Sequence, residues 1–75
     1  MSPDKMIHMA NQIAVFFRTQ PGHDQARKVA DHLTDFWEPR MRRQLHAHVA
    51  SGGAGLDPLV LQAAASMKPP AVEAG

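Results

Sequence analysis

Apolar residues recur every three or four positions through most of the chain, which is the spacing of an amphipathic helix and not of a strand. The first run has apolar side chains at positions 6, 9, 10, 13, 16 and 17. Ser2 can cap a helix, and Pro3 suits its first position. Gln20-Pro21-Gly22 interrupts the pattern, because proline and glycine break helices. The pattern therefore predicts a first helix that ends near Arg18-Thr19.

A second run follows Asp24, which can cap a helix, and is apolar at positions 26, 29, 30, 33, 36 and 37. A proline disfavours helical geometry in the residue before it, so Glu38 should lie outside the helix. We expect the second helix to end at about Trp37. Pro39 suits the first position of a third helix, in which positions 41, 45 and 49 are apolar.

The glycine-rich segment 51–55 should close the third helix and form a flexible loop. Asp57-Pro58 then starts a short fourth helix with apolar positions 56, 59, 60, 63, 64 and 67, and Lys68-Pro69-Pro70 stops it. No run alternates as a strand does. The sequence predicts an all-α fold, a small bundle of three helices plus a short fourth. We assign residues 1–68 to one helical domain and residues 69–75 to a disordered tail.

The composition narrows the possible functions. The chain has 75 residues, and a single core of this size yields only about 3–5 kcal/mol of net stability. It has no cysteine, which excludes disulfides, thiolate metal sites and iron–sulfur ligation. The net charge of +1 argues against nucleic-acid binding by the chain as a whole. No signal peptide or membrane-spanning run is visible, so we expect a soluble, cytoplasmic protein that does not contact a membrane.

The residues offer little for catalysis or metal binding. Five histidines are present, but His46 and His48 are two apart and so lie on different faces of a helix. The acids occupy solvent-facing positions with basic neighbours, and no tyrosine is available. We expect no catalytic, cofactor-binding or metal-binding residue in this chain, and no independent enzyme.

Two aromatic doublets, Phe16-Phe17 and Phe36-Trp37, have a geometric consequence. Neighbours on a helix point about 100° apart, so one ring of each pair can enter the core while the other lies at its boundary. We expect Phe17 and Phe36 mainly in the core. Trp37 then belongs to a surface that another molecule covers, because tryptophan is enriched at the centres of interfaces. The alternative is a three-helix core that wraps far enough to take both rings.

Arg40, Arg42 and Arg43 fall in the first turn of the third helix, where the helix dipole disfavours a cation by roughly 0.3–1 kcal/mol. Asp35 and Glu38 could neutralise one or two of them within the chain. The interpretation we favour is an external carboxylate or phosphate, which arginine binds in bidentate fashion. The candidate partner-binding residues are Trp37, Arg40, Arg42 and Arg43.

Three blocks of sequence resemble a known family. The run from Met6 to Phe17, followed by Gln20-Pro21-Gly22, is similar to the opening of the delta subunit of NAD-dependent, molybdenum-containing formate dehydrogenases. Segments 29–33 with 36–42, and then segment 52–60, resemble later parts of the same subunit in the same order. The resemblance covers about residues 5–64.

The resemblance implies a cytoplasmic complex of alpha, beta, gamma and delta subunits that oxidises formate to carbon dioxide with NAD. In such complexes the alpha subunit holds the bis-pterin molybdenum cofactor and iron–sulfur clusters, and beta holds the flavin FMN and the NAD site. The delta subunit carries no cofactor and supports assembly or stability of the large subunit. The resemblance thus implies a non-catalytic accessory chain that docks on alpha.

A function of another class is a small helical nucleic-acid binder that uses the helix with Arg40, Arg42 and Arg43. The acids Asp35 and Glu38 and the nearly neutral total charge count against it. We therefore expect protein subunits, and no nucleic acid, as partners.

Overall fold

The computed structural model describes residues 2–68, so the tail predicted at residues 69–75 lies outside the described residues. Residues 2–68 contain no β-strand, which confirms the all-α prediction. The helices are α1 (Pro3–Arg18), α2 (Gln25–Phe36), α3 (Pro39–Ala50) and α4 (Pro58–Ser66). Each predicted helix is present, and the predicted ends agree to within a residue or two.

Local side-chain chemistry sets the helix starts. The Ser2 hydroxyl accepts a hydrogen bond from the Lys5 amide, at 3.3 Å, and an Asp57 carboxylate oxygen accepts one from the Leu59 amide, at 2.9 Å. Both bonds satisfy amides that have no partner within their own helix. Asp24 occupies the same position before α2, but its φ of 60° is left-handed and its side chain makes no capping bond. Asp24 thus marks the helix start without capping it.

The core is built from aliphatic side chains of all four helices. Its largest fully buried members are Met6, Leu33, Leu45, Val29 and Val60. Helix α2 packs most extensively on α4, where the buried residues Ala63 and Ala64 present little side-chain bulk. Small side chains at a helix contact allow the two axes to approach closely. The side of α4 that carries Ala63 and Ala64 is therefore its packing face.

The segment between α3 and α4 is held by defined hydrogen bonds. The amides of Gly52 and Gly53 donate to the carbonyls of Val49 and His48, which is the Schellman arrangement that ends many helices. Gly53 has a φ of +67°, and a Cβ atom there would lie 2.6 Å from Leu61 Cδ2. A side chain at this position would meet both backbone strain and a packed neighbour.

Helix α1 holds the start of α4 through two side chains. The Asn11 amide nitrogen donates to the Gly55 carbonyl at 2.9 Å, and the Asn11 amide oxygen accepts from the Asp57 amide at 2.8 Å. Two turns further along α1, Arg18 pairs with the Asp57 carboxylate, the only ion pair within residues 2–68. The hydrogen bond from Arg18 holds the pKa of Asp57 below its ordinary value, and the capping bond from Leu59 adds to this.

Replacing Asn11 tests this connection. We expect Asn11→Ala to lower the free energy of unfolding by about 1–2 kcal/mol, because two hydrogen bonds worth roughly 0.5–1.5 kcal/mol each are lost. The better helix propensity of alanine offsets part of the loss. Urea unfolding followed by circular dichroism measures the change. The neighbouring exposed Gln12→Ala should stay within about 0.5 kcal/mol of the original. Equal effects of the two substitutions would contradict a structural role for Asn11.

The pH dependence of stability tests the charge on Asp57. Because the folded-state pKa is depressed, the stability that the carboxylate contributes is full above its ordinary pKa of 3.8 and is lost as the pH falls through the folded-state value. Asp57→Asn keeps a side chain that can cap α4 but removes the charge. We expect this variant to be less stable than the original at neutral pH, with the difference shrinking below pH 3.8. A difference that does not change with pH would show that the Arg18 ion pair contributes nothing.

Candidate subunit interface

All three phenylalanines and the single tryptophan of the chain line one groove between α1 and α2. The groove has a volume of about 510 Å³. No Asp, Glu, Lys or Arg lines it, and its residues are Met9, Gln12, Ile13, Phe16, Phe17, His32, Phe36 and Trp37. An uncharged, aromatic-rich surface of this kind has the composition of an interface centre.

Four of these rings form a row that crosses from α1 to α2. The ring centroids of Phe16 and Phe17 are 5.1 Å apart, those of Phe17 and His32 are 5.8 Å apart, and those of His32 and Phe36 are 4.7 Å apart. The first two pairs meet edge to face, a favoured arrangement for aromatic rings. These contacts hold the exposed rings in place, so the surface is preorganised.

The structure reverses the expected positions of Phe36 and Trp37. Phe36 is 73% exposed, so its predicted place in the core is wrong, whereas Trp37 is 6% exposed and belongs to the core. The Trp37 amide still donates to the Leu33 carbonyl, so the Trp37 Cβ keeps its helical direction, and the extended ψ of 136° turns only the chain that follows. The 100° offset between helical neighbours therefore applies to this pair, with Trp37 on the side of Ala30 and Leu33 and Phe36 turned away from it. Trp37 forms the floor of the groove, and Phe36 stands at its edge.

On α1 the outer aromatic is Phe16, which is 57% exposed although the helical pattern had included it in the apolar face. Phe17 is half-buried and packs against the core, in agreement with the prediction. Val15 is 51% exposed and, with Phe16, Gln12 and His8, lines a second groove of about 480 Å³ on the outer face of α1. The apolar surface thus continues around α1.

The three arginines differ in their surroundings. Arg42 donates to the carbonyl of Thr34, in the last turn of α2, at 2.6 Å. Arg40 is exposed and Arg43 half-buried, and neither side chain has a hydrogen bond or ion pair within residues 2–68. The suggested neutralisation by Asp35 and Glu38 is not found, since the one ion pair in that range joins Arg18 to α4. Arg40 and Arg43 therefore remain available to a partner.

His46 lies on α3 one turn after Arg42. Its Nε2 atom is buried and has no hydrogen-bond partner among the described residues. Burial disfavours the charged ring and lowers the pKa of His46, and the positive charge of Arg42 lowers it further. The ring is therefore neutral at neutral pH and adds no charge to the arginine cluster.

Residues 2–68 hold no group of three or more His, Asp and Glu side chains that could bind a metal ion. None of the four helices is long and apolar enough to cross a membrane. The aromatic grooves and the two available arginines are the features that call for a functional explanation.

A family model described as "NADH-dependant formate dehydrogenase delta subunit FdsD" matches residues 5–64. No curated protein matches the chain. The matched segment extends from the first turn of α1 into α4, and it includes both aromatic doublets and the three arginines of α3. Because it covers most of the 75 residues, the chain belongs to the family of delta subunits of NADH-dependent formate dehydrogenases, as the resemblance indicated.

Proposed function

We propose that this chain is a non-catalytic accessory subunit of a cytoplasmic formate dehydrogenase, which docks on the large molybdenum-containing alpha subunit and supports its assembly or stability. The observation that carries the proposal is the uncharged groove that collects every Phe and Trp of the chain. In the proposed complex, alpha and beta hold the molybdenum bis-pterin, iron–sulfur clusters, FMN and NAD site, with gamma in the same assembly. This chain provides contact surface and no cofactor ligand.

The exposed rings give the surface its binding energy. Burying a phenylalanine side chain that was exposed is favourable by about 1.5–3 kcal/mol. Phe36 is 73% and Phe16 57% exposed, so most of this energy is not realised within the chain. A partner that covers both rings gains it. The ring contacts to Phe17 and His32 keep the entropic cost of ordering the surface low.

The structure leaves fewer candidate contact residues than the four predicted from the sequence. Trp37 is buried, so we assign it the floor of the groove and not a direct anchor. Arg42 is bonded to Thr34. Arg40 follows Trp37 by three residues, which limits the distance between their Cα atoms to about 11 Å. We therefore propose Arg40 and Arg43 as the charged contacts beside the groove, with acidic groups of the alpha subunit as their partners.

Truncating the two exposed rings tests the docking surface. Phe16→Ala with Phe36→Ala should lower the affinity for the alpha subunit at least about a hundredfold, because two rings worth about 1.5–3 kcal/mol each are removed. Co-purification of alpha with the tagged chain measures the loss, and circular dichroism checks that the helices persist. The matched control is Asp31→Ala with Gln62→Ala, two exposed residues at the groove between α2 and α4. If the double Phe variant retains alpha as the control does, the surface is wrongly assigned.

Charge reversal tests the arginines separately. Arg40→Glu with Arg43→Glu should reduce the recovered alpha subunit at least about tenfold, since favourable contacts become repulsive. The control is Arg27→Glu with Lys68→Glu, which makes the same change in net charge beside α4. A general effect of net charge would weaken both variants equally. If only the control variant recovers less alpha subunit, the charged contact lies near Arg27 and Lys68 and not at the start of α3.

A further inference from the structure

We propose that an amphipathic α-helix of the partner subunit occupies the two grooves that Phe16 lines. It packs across α1 with an uncharged, mainly aliphatic face. This inference rests on the proposed function and specifies the element that docks. It follows from the shape of the outer face of α1 and from the charge of its lining.

The shape is that of a helix-packing surface. Gln12 and Phe16 line both grooves, so these two residues form the ridge that separates them. They are four residues apart, and side chains at this spacing form the ridges by which helices interlock. A partner helix that crosses this ridge places its own side chains into the flanking grooves, which have volumes of about 510 and 480 Å³.

The lining defines the chemistry of that partner face. Neither groove is lined by Asp, Glu, Lys or Arg, so a charged side chain entering from the partner would lose its hydration without gaining an ion pair. An aliphatic side chain has no charged or polar group whose hydration would be lost, and it fills the groove. The backbone of α1 is already hydrogen-bonded within the helix, so it offers no edge to which a partner strand could pair.

A second copy of this chain fits the surface less well. Two copies related by a two-fold axis across α1 would bring Gln12 against Gln12 at the centre of the contact. The centres of homodimer interfaces are more apolar than the surrounding surface. A partner helix can instead place one uncharged polar side chain opposite Gln12, which satisfies its amide, while aliphatic side chains on either side fill the grooves.

Cross-linking from single cysteines tests the inference, because the chain has no cysteine of its own. His8→Cys, Gln12→Cys and Val15→Cys, each at an exposed position of α1, are labelled with a benzophenone maleimide. Each labelled chain is assembled into the complex, irradiated and mapped by mass spectrometry. The control is Arg27→Cys, on the far side of α2 beside α4.

We expect cross-links from all three α1 positions to fall on one stretch of the alpha subunit, at uncharged residues three or four apart. Their yield should exceed that from Arg27→Cys at least tenfold. Cross-links at every second residue, at scattered segments or to another copy of this chain would overturn the inference while leaving the docking proposal in place. If the unmodified tagged chain recovers no alpha subunit, the proposed function itself is wrong.

Discussion

A break of two extended residues, Trp37 and Glu38, joins α2 to α3 and places the aromatic groove beside the start of α3. The Trp37 amide still donates to the Leu33 carbonyl, and then the backbone turns to ψ values of 136° and 152° before Pro39 opens α3. Pro39 enforces the second of these, because a residue before proline avoids helical geometry. Trp37 lies in the core on the side of Ala30 and Leu33, and Phe36, one helical position earlier, lies outside. The floor and the edge of the groove thus come from adjacent residues at this backbone break.

The same break explains why the chain tolerates an arginine near the start of α3. The dipole of α3 disfavours a cation at its own N-terminus, but the C-terminal end of α2 favours one. With only two residues between the helices, Arg42 reaches the Thr34 carbonyl and satisfies a group at the end of α2. The dipole of α3 alone suggests that Arg42 needs a partner outside the chain. Because the end of α2 supplies that partner, only Arg40 and Arg43 remain as candidates for an external contact.

The parts of the structure that could be predicted from the sequence are those that depend on nearby residues. Pro3, Pro39 and Pro58 begin helices because proline suits the first position wherever it occurs. The bonds of Asn11 join residues more than forty positions apart and have no local signal. The positions of Phe36 and Trp37 were exchanged in the prediction, because the 100° spacing places one ring of the pair in the core and the choice was made for the wrong ring. That choice decides which aromatic ring is available to a partner.

The core consists of methionine, leucine, valine and alanine together with Trp37, while no phenylalanine is fully buried. A domain of this size has little stability to spare, and it nevertheless keeps its phenylalanines at a groove where they contribute only partly to its own fold. Binding that covers the groove stabilises the folded chain, because the unfolded chain has no such surface. The coupling is reciprocal, so a partner that must be folded to bind this chain is stabilised by the same contacts. Under the proposed docking, one set of contacts therefore both completes the fold of this small subunit and supports the large one.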